Sequence, residues 1–227
     1  MKISSLQKGL VGHWTMSQDS LKGSLLADKT PYENDGTIYG ATTFTTDRMG
    51  QPNKAMYFDG VDNYIDCGTP IIPAGDFSIS LWCYKDSLPN SYESFLGQYL
   101  AANIGRFWFG FNNSNVGFRI GEETETVSVE YNKHLHCVIT REGTTVKVYL
   151  NGNLVITRTA VDSIYQGANT IIGSYDSTAG RFNGSIDDVR IYNRALSQAE
   201  ITTLYNSYNP KIVMKTSLPK IKLYGGD

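Results

Sequence analysis

The feature that most constrains this chain is a two-residue alternation of apolar and polar side chains, repeated in short segments separated by glycine turns. The stretch Thr144-Thr-Val-Lys-Val-Tyr-Leu-Asn-Gly-Asn-Leu-Val-Ile shows it best, with Val146, Val148 and Leu150 alternating with Lys147 and Tyr149 up to Asn151-Gly152. Successive side chains of a strand point to opposite faces, so the pattern predicts a hairpin with one buried face. Asn-Gly suits its tip because a two-residue hairpin turn needs positive φ at both positions. The same alternation marks residues 54–65, 77–84, 106–111, 116–120, 126–129, 135–140, 170–173 and 186–192. Asp59-Gly60, Glu142-Gly143 and Asn183-Gly184 read as further turns. Many antiparallel strands joined by tight turns predict an all-β sandwich or barrel. One short helix is expected near the end, where Ser197 and Glu200 are spaced as a capping box ahead of Ile201 and Leu204, with Tyr208-Asn209-Pro210 ending it.

At 227 residues the chain fits one large sandwich, and aromatics at 12% with charged residues at only 19% suit strands and interaction surfaces. No apolar run approaches the roughly 18 residues of a membrane span, and the first eight residues lack the apolar core of a secretory signal. A soluble protein is expected. Cys67, Cys83 and Cys137 cannot all pair within the chain; they read as buried fillers, with a Cys67–Cys83 bridge as the oxidising alternative. Net charge is −2, but residues 210–227 carry four lysines against one aspartate, so the body before them stands at −5. An acidic body argues against nucleic acid as a partner. The expected organisation is one domain over 1–209 and a basic, apolar tail over 210–227 suited to docking.

Four stretches carry a family resemblance: Gly9-Leu-Val-Gly-His-Trp-Thr-Met, Tyr57-Phe-Asp-Gly-Val-Asp-Asn-Tyr-Ile, Val148-Tyr-Leu-Asn-Gly, and Gly184-Ser-Ile-Asp-Asp-Val-Arg-Ile-Tyr-Asn-Arg-Ala-Leu-Ser-Gln-Ala-Glu-Ile. In these the chain resembles the laminin-G-like jelly-roll family of the concanavalin A-like lectin and glucanase fold. The resemblance implies an all-β, two-sheet antiparallel jelly-roll sandwich with a short C-terminal helix, binding at loop rims or on the concave face. The segment Asp28-Lys-Thr-Pro-Tyr-Glu-Asn-Asp-Gly-Thr resembles the family's second motif, although Pro31 and Tyr32 replace its usual small residues. In relatives this loop and the Ile186-Asp187-Asp188 strand meet at one bound calcium. The resemblance therefore implies a structural calcium held by Asp28, Asn34, Thr37 and Asp187, with Asp188 as substitute; hard cations take such oxygen ligands. The alternative is that Asp28 caps a turn and Asp187 faces solvent.

Sugar sites need aromatic faces beside groups that hydrogen-bond hydroxyls. Arg106-Phe-Trp-Phe-Gly-Phe-Asn-Asn is the richest such stretch: alternation buries Phe107, Phe109 and Phe111 and turns Arg106, Trp108 and Gly110 the other way. Tyr175-Asp-Ser-Thr-Ala-Gly-Arg181 is a second candidate, a polar rim loop. The expected ligand residues are Arg106, Trp108, Asn112, Tyr175 and Arg181, and the alternative is that Trp108 packs internally. Trp14 and Trp82 are expected in core strands. Glu-x-Asp-x-x-Glu, the spacing with which some relatives hydrolyse polysaccharides, is absent. Glu123 and Glu125 read as a solvated hairpin end, and His134 and His136 as a bland strand pair. The expected function is a non-catalytic carbohydrate- or surface-recognition module for a glycan or cell-surface polysaccharide. Its expected setting is outward-facing, on a phage or viral particle as a decoration or fibre-associated protein, docked to capsid or tail proteins through 210–227. The rivals are a structural docking protein without glycan binding and, third, a glycoside hydrolase.

Overall fold

The computed structural model describes residues 5–85, 92–99, 105–176 and 178–207. Its strands, in chain order, are β1 (Leu10–Trp14), β2 (Leu21–Lys22), β3 (Leu25–Leu26), β4 (Gly36–Tyr39), β5 (Thr43–Thr45), β6 (Ala55–Asp59), β7 (Tyr64–Asp66), β8 (Phe77–Tyr84), β9 (Tyr92–Gln98), β10 (Phe107–Asn112), β11 (Asn115–Ile120), β12 (Glu123–Ser128), β13 (His134–Glu142), β14 (Thr145–Leu150), β15 (Asn153–Thr159), β16 (Thr170–Ile172) and β17 (Asn183–Tyr192). They form two antiparallel sheets, one ordered β15-β14-β13-β8-β17-β6-β5 with β1 also on β17, the other β12-β11-β10-β9-β16-β7-β4-β3-β2. This is the expected sandwich.

The main core fills the space between the sheets and is rich in rings: Trp14, Phe58, Phe77, Phe95, Phe107, Phe109, Phe111 and Phe118 are all fully buried or nearly so. Each such side chain contributes about 1.5–3 kcal/mol relative to an exposed one. A smaller cluster of Leu10, Val138, Tyr149, Tyr192, Leu196, Ile201 and Leu204 lies outside the first sheet, where helix α1 (Gln198–Ser207) packs. The capping box forms as expected, with Ser197 N donating to Glu200 Oε2 at 3.0 Å and Glu200 N to Ser197 Oγ at 3.3 Å. The predicted helix end at 208–210 and the tail from 210 lie outside the described residues.

Three local expectations change. Asn151-Gly152 turns as predicted, with φ of 51° and 81°, but Asn183-Gly184 opens β17 instead of making a turn. There Asn183 pairs with Asp59 and Gly184 with Phe58, so strand pairing overrides the local preference. Strand β9 was not visible as alternation because a register shift against β10 turns both Phe95 and Leu96 inward. All three cysteines are buried and free, and Cys83 Sγ lies 3.9 Å from Cys137 Sγ, so Cys137 and not Cys67 is its neighbour.

Candidate functional site

Strands β9, β10 and β11 build the floor of a pocket on the outer face of the second sheet. With Phe107, Phe109 and Phe111 committed to the core, period-two geometry turns Trp108 and Gly110 outward, and Arg119 pairs opposite Trp108 on β11. On the other side Trp108 pairs with Gly97, where a Cβ would collide with the backbone carbonyl of Tyr175. Glycine there lets the 174–180 loop lie down on the sheet. That loop is braced from within: Asp176 Oδ1 accepts from the Thr178 and Ala179 N–H groups at 2.6 and 2.8 Å, and Ser174 Oγ donates to Ala179 O at 2.7 Å.

The result is a cavity of about 240 Å³ lined by Tyr92, Arg106, Trp108, Arg119, Tyr175, Ala179 and Gly180. Tyr92 stands edge-on to Trp108 with ring centroids 5.3 Å apart, and Tyr175 stacks on Tyr99 at 4.7 Å. Burial pushes the Tyr175 phenol up to about 12, against the pull of Arg106, so the hydroxyl stays neutral and able to donate. Glu122 lies across the two arginines, accepting from Arg106 Nη2 at 2.6 Å and from Arg119 Nη2 at 3.0 Å. Two buried donors, Trp108 Nε1 and Arg106 Nε, have no hydrogen-bond partner among the described residues. Buried polar groups are normally paired, so each orphaned donor is a position open to a ligand; Trp82 Nε1, under Arg48, is another.

The expected ligand residues divide accordingly. Arg106, Trp108 and Tyr175 come together, from segments about 70 residues apart. Trp108 faces outward as expected but is only 2% exposed, because Tyr92, Tyr175, Ala179 and Gly180 close around it; it is a pocket wall and not an open platform. Arg181 lies over the Tyr64 ring at 4.3 Å and lines an adjoining cavity of about 310 Å³ with Asp59, Glu93 and Asn183. The two cavities share Tyr92, Ala179 and Gly180. Asn112 shares the Trp108 face yet lines neither, since it sits at the far end of β10 beside Asn113. Arg119 and Tyr92 were missed. The alternation of Val116, Phe118 and Ile120 already turned Arg119 outward, whereas nothing local marked Tyr92.

A second, larger cleft of about 460 Å³ opens on the first sheet, lined among others by His13, Asp47, Arg48, Lys54, Asp187 and Asp188. Its origin is a change of partner along β17, which pairs with β6 through Ile186 and with β1 from Val189 onward. Asp187 and Asp188 fall in the gap, and Asp188 takes a φ of 52°. Asp188 Oδ1 lies 2.8 Å from His13 Nε2 and 3.0 Å from Arg190 Nε, and Asp187 is ion-paired to Arg48. Arg48 in turn lies over the Trp82 ring at 5.1 Å. Burial pushes Asp187 up to about 7. Burial opposes ionised Asp188 as well, but the His13 hydrogen bond and the charges of Arg190 and Arg48 outweigh it and hold Asp188 below the usual carboxylate range.

The four oxygens expected around calcium do not fit that ion. Asp28 spends both oxygens on its own loop and on β1, accepting from His13 N and Thr30 N on Oδ1 and from Thr30 Oγ1 and Asn34 N on Oδ2, at 2.6–3.0 Å. Asn34 donates its amide to Val11 O at 3.0 Å, Thr37 lies within β4, and Asp187 faces a guanidinium. Hydrogen donors occupy the positions a cation would need. The turn-capping alternative for Asp28 therefore holds, while Asp187 is buried instead of facing solvent. Among the described residues no three His, Cys, Asp or Glu side chains are placed to hold a metal ion. His136 is buried against Ser80, Trp82 and Tyr205, and burial lowers it to about 3. Glu125 lies 3.9 Å from Arg158. No described helix is long and apolar enough to cross a membrane.

The sequence profile of the concanavalin A-like lectin/glucanases superfamily matches residues 59–202. No curated protein matches the chain. Among solved structures, domain 4 of a GH43 extracellular arabinanase from Geobacillus stearothermophilus, in complex with arabinotriose, is 21% identical with a TM-score of 0.62, covering 86% of this chain and 98% of that one. The receptor binding domain of botulinum neurotoxin C/D mosaic serotype is 15% identical with a TM-score of 0.67, over 88% of this chain and 51% of that one. A Trypanosoma rangeli sialidase mutant is 21% identical with a TM-score of 0.62, over 88% of this chain and 33% of that one. The chain thus spans about half of the toxin domain and a third of the sialidase. At these identities the likeness is one of fold.

Proposed function

The chain belongs to the concanavalin A-like lectin/glucanases superfamily, and on that premise we propose that it is a non-catalytic carbohydrate-recognition module whose site is the Trp108 pocket. The observation that carries this reading is the pair of orphaned donors, Trp108 Nε1 and Arg106 Nε, in a cavity walled by tyrosines and a tryptophan. Rings that pack against the apolar face of a sugar, beside donors that reach its hydroxyls, are what saccharide binding requires. The arabinanase domain, caught with arabinotriose, supports a saccharide as ligand on the same fold. The adjoining Arg181 cavity extends the site for a second sugar unit. The test is a glycan screen of the full chain against its Trp108→Leu and Arg106→Gln variants. Saturable binding that weakens in both variants is expected; binding indifferent to both would move the site elsewhere, and silence across neutral and acidic glycans would sink the reading.

Catalysis is not part of this reading, because the buried carboxylates of the charged cleft are engaged by Arg48, His13 and Arg190. Release of reducing sugar by the purified protein, lost in Asp187→Asn, would overturn that. We further propose an outward-facing setting, on a phage or viral particle, with residues 210–227 docking to a capsid or tail protein. The tail's four lysines against an acidic body motivate it. Deleting 210–227 should leave glycan binding intact and abolish incorporation into particles; incorporation without the tail counts against it.

A further inference from the structure

We propose that the Trp108 pocket selects saccharides that carry a carboxylate, and that Glu122 stands in for that carboxylate in the free protein. The inference rests on the carbohydrate reading above and adds the charge of the ligand to it. Its basis is the Arg106–Glu122–Arg119 arrangement at the pocket wall. One carboxylate takes a donor from each of two guanidinium groups, the geometry with which planar acids are recognised. Burial is uneven across the three. The arginine side chains are 16% and 28% exposed, whereas Glu122 is 71% exposed. The cations are therefore part of the wall, and the anion is a cover over them.

That cover is easily displaced. An ion pair with so exposed a partner contributes little, since water competes for the carboxylate. The backbone of Glu122 is held separately, through its N–H to Asp162 Oδ2 at 3.3 Å, so the side chain can leave while the turn stays. With Glu122 swung away, the wall presents two positive charges beside the neutral Tyr175 hydroxyl. The adjoining cavity offers no such pair of cations: its lining sets Arg181 beside Asp59 and Glu93, and Glu93 is ion-paired to Lys85 at 2.9 Å. A ligand carboxylate is thereby directed to the Arg106–Arg119 end, and the neutral remainder of the saccharide toward Tyr92 and Gly180.

The experiment is calorimetric titration of the full chain with trigalacturonate against its methyl ester, and with 3′-sialyllactose against lactose, which separates a uronate from a sialic-acid source. Wild type should prefer the acid member of at least one pair. Glu122→Ala should bind that acid about two- to fivefold tighter, the range over which an exposed ion pair competes, and leave the neutral member unchanged. Arg119→Gln should cancel the preference. Equal affinity for acid and neutral members, or a Glu122→Ala variant no tighter than wild type, overturns the inference and leaves the carbohydrate reading standing. No binding of any of the four saccharides by either protein overturns both.

Discussion

The two cavities of this protein differ in what their polar groups are doing. The charged cleft is nearly twice the volume of the Trp108 pocket, about 460 against 240 Å³, and its lining includes the buried Asp47, Asp187 and Asp188. Its carboxylates are committed to partners inside the chain: Asp188 to His13 and Arg190, Asp187 to Arg48, and Asp47 to the Met49 and Gln51 N–H groups at 2.8 Å. Orphaned buried donors occur beside both, Trp82 Nε1 under Arg48 at the cleft and Trp108 Nε1 with Arg106 Nε at the pocket; what the smaller pocket adds is an exposed carboxylate set over two arginines. Size and charge mark where a sheet changes partners; a displaceable carboxylate over two arginines, beside aromatic walls, marks where a ligand belongs.

That contrast predicts that the cleft governs stability and the pocket governs binding. The largest effect is expected at Arg48: Arg48→Met removes the cation facing Asp187 and Asp188 and should cost about 3 kcal/mol in urea unfolding at pH 8, where Asp187 is ionised in the wild type, with glycan affinity per folded molecule unchanged. A loss of affinity without loss of stability would reverse the assignment of the two regions. Next in size, Trp108→Leu should weaken glycan binding by about 2 kcal/mol, roughly thirtyfold, as expected of a buried aromatic anchor, measured by calorimetry on protein whose circular dichroism is native.

A smaller effect separates two titrations beside the cleft. His136 is lowered from 6.5 to about 3, so the unfolded chain binds the extra proton between those values and this group's contribution is lost as pH falls below 6.5. Asp187 is raised from 3.8 to about 7, so the folded chain holds the extra proton there and this contribution is lost as pH rises. The slopes oppose each other, and wild-type stability should be nearly flat from pH 4 to 6.5. In the double variant His134→Asn/His136→Asn both lowered imidazoles are gone and the Asp187 slope dominates: stability should fall with rising pH by up to about 1.4 kcal/mol per unit. A flat profile in that variant would mean Asp187 is ionised throughout. Smallest of all, chelator should leave the melting temperature unchanged, because Asp28 already spends both oxygens on protein donors; a drop of several degrees would restore calcium to the loop.

Much of the sandwich was readable beforehand. The β14–β15 hairpin, the inward phenylalanines of β10 and the Ser197–Glu200 box all follow from neighbours within a few residues. Strand β9 was not readable, since its register shift puts consecutive Phe95 and Leu96 on one face and erases the alternation. Half of the candidate pocket was legible as well: Arg106, Trp108 and Tyr175 stood out by residue type, but Tyr92 and Arg119 gained meaning only from the strands beside them.

By itself the sequence determined which side chains face inward, where most of the turns fall, and that the result is all-β, because period-two alternation and positive-φ turn residues act over two to four positions; the two-sheet sandwich was implied by the family resemblance. Only the tertiary structure decided which faces adjoin. Arg48 meets Asp187 across 139 positions and His13 meets Asp188 across 175, and such pairings depend on sheet order, which no local pattern encodes. The same order turned Asp28 toward its own loop, set Tyr175 over Gly97, and laid Glu122 across Arg106 and Arg119.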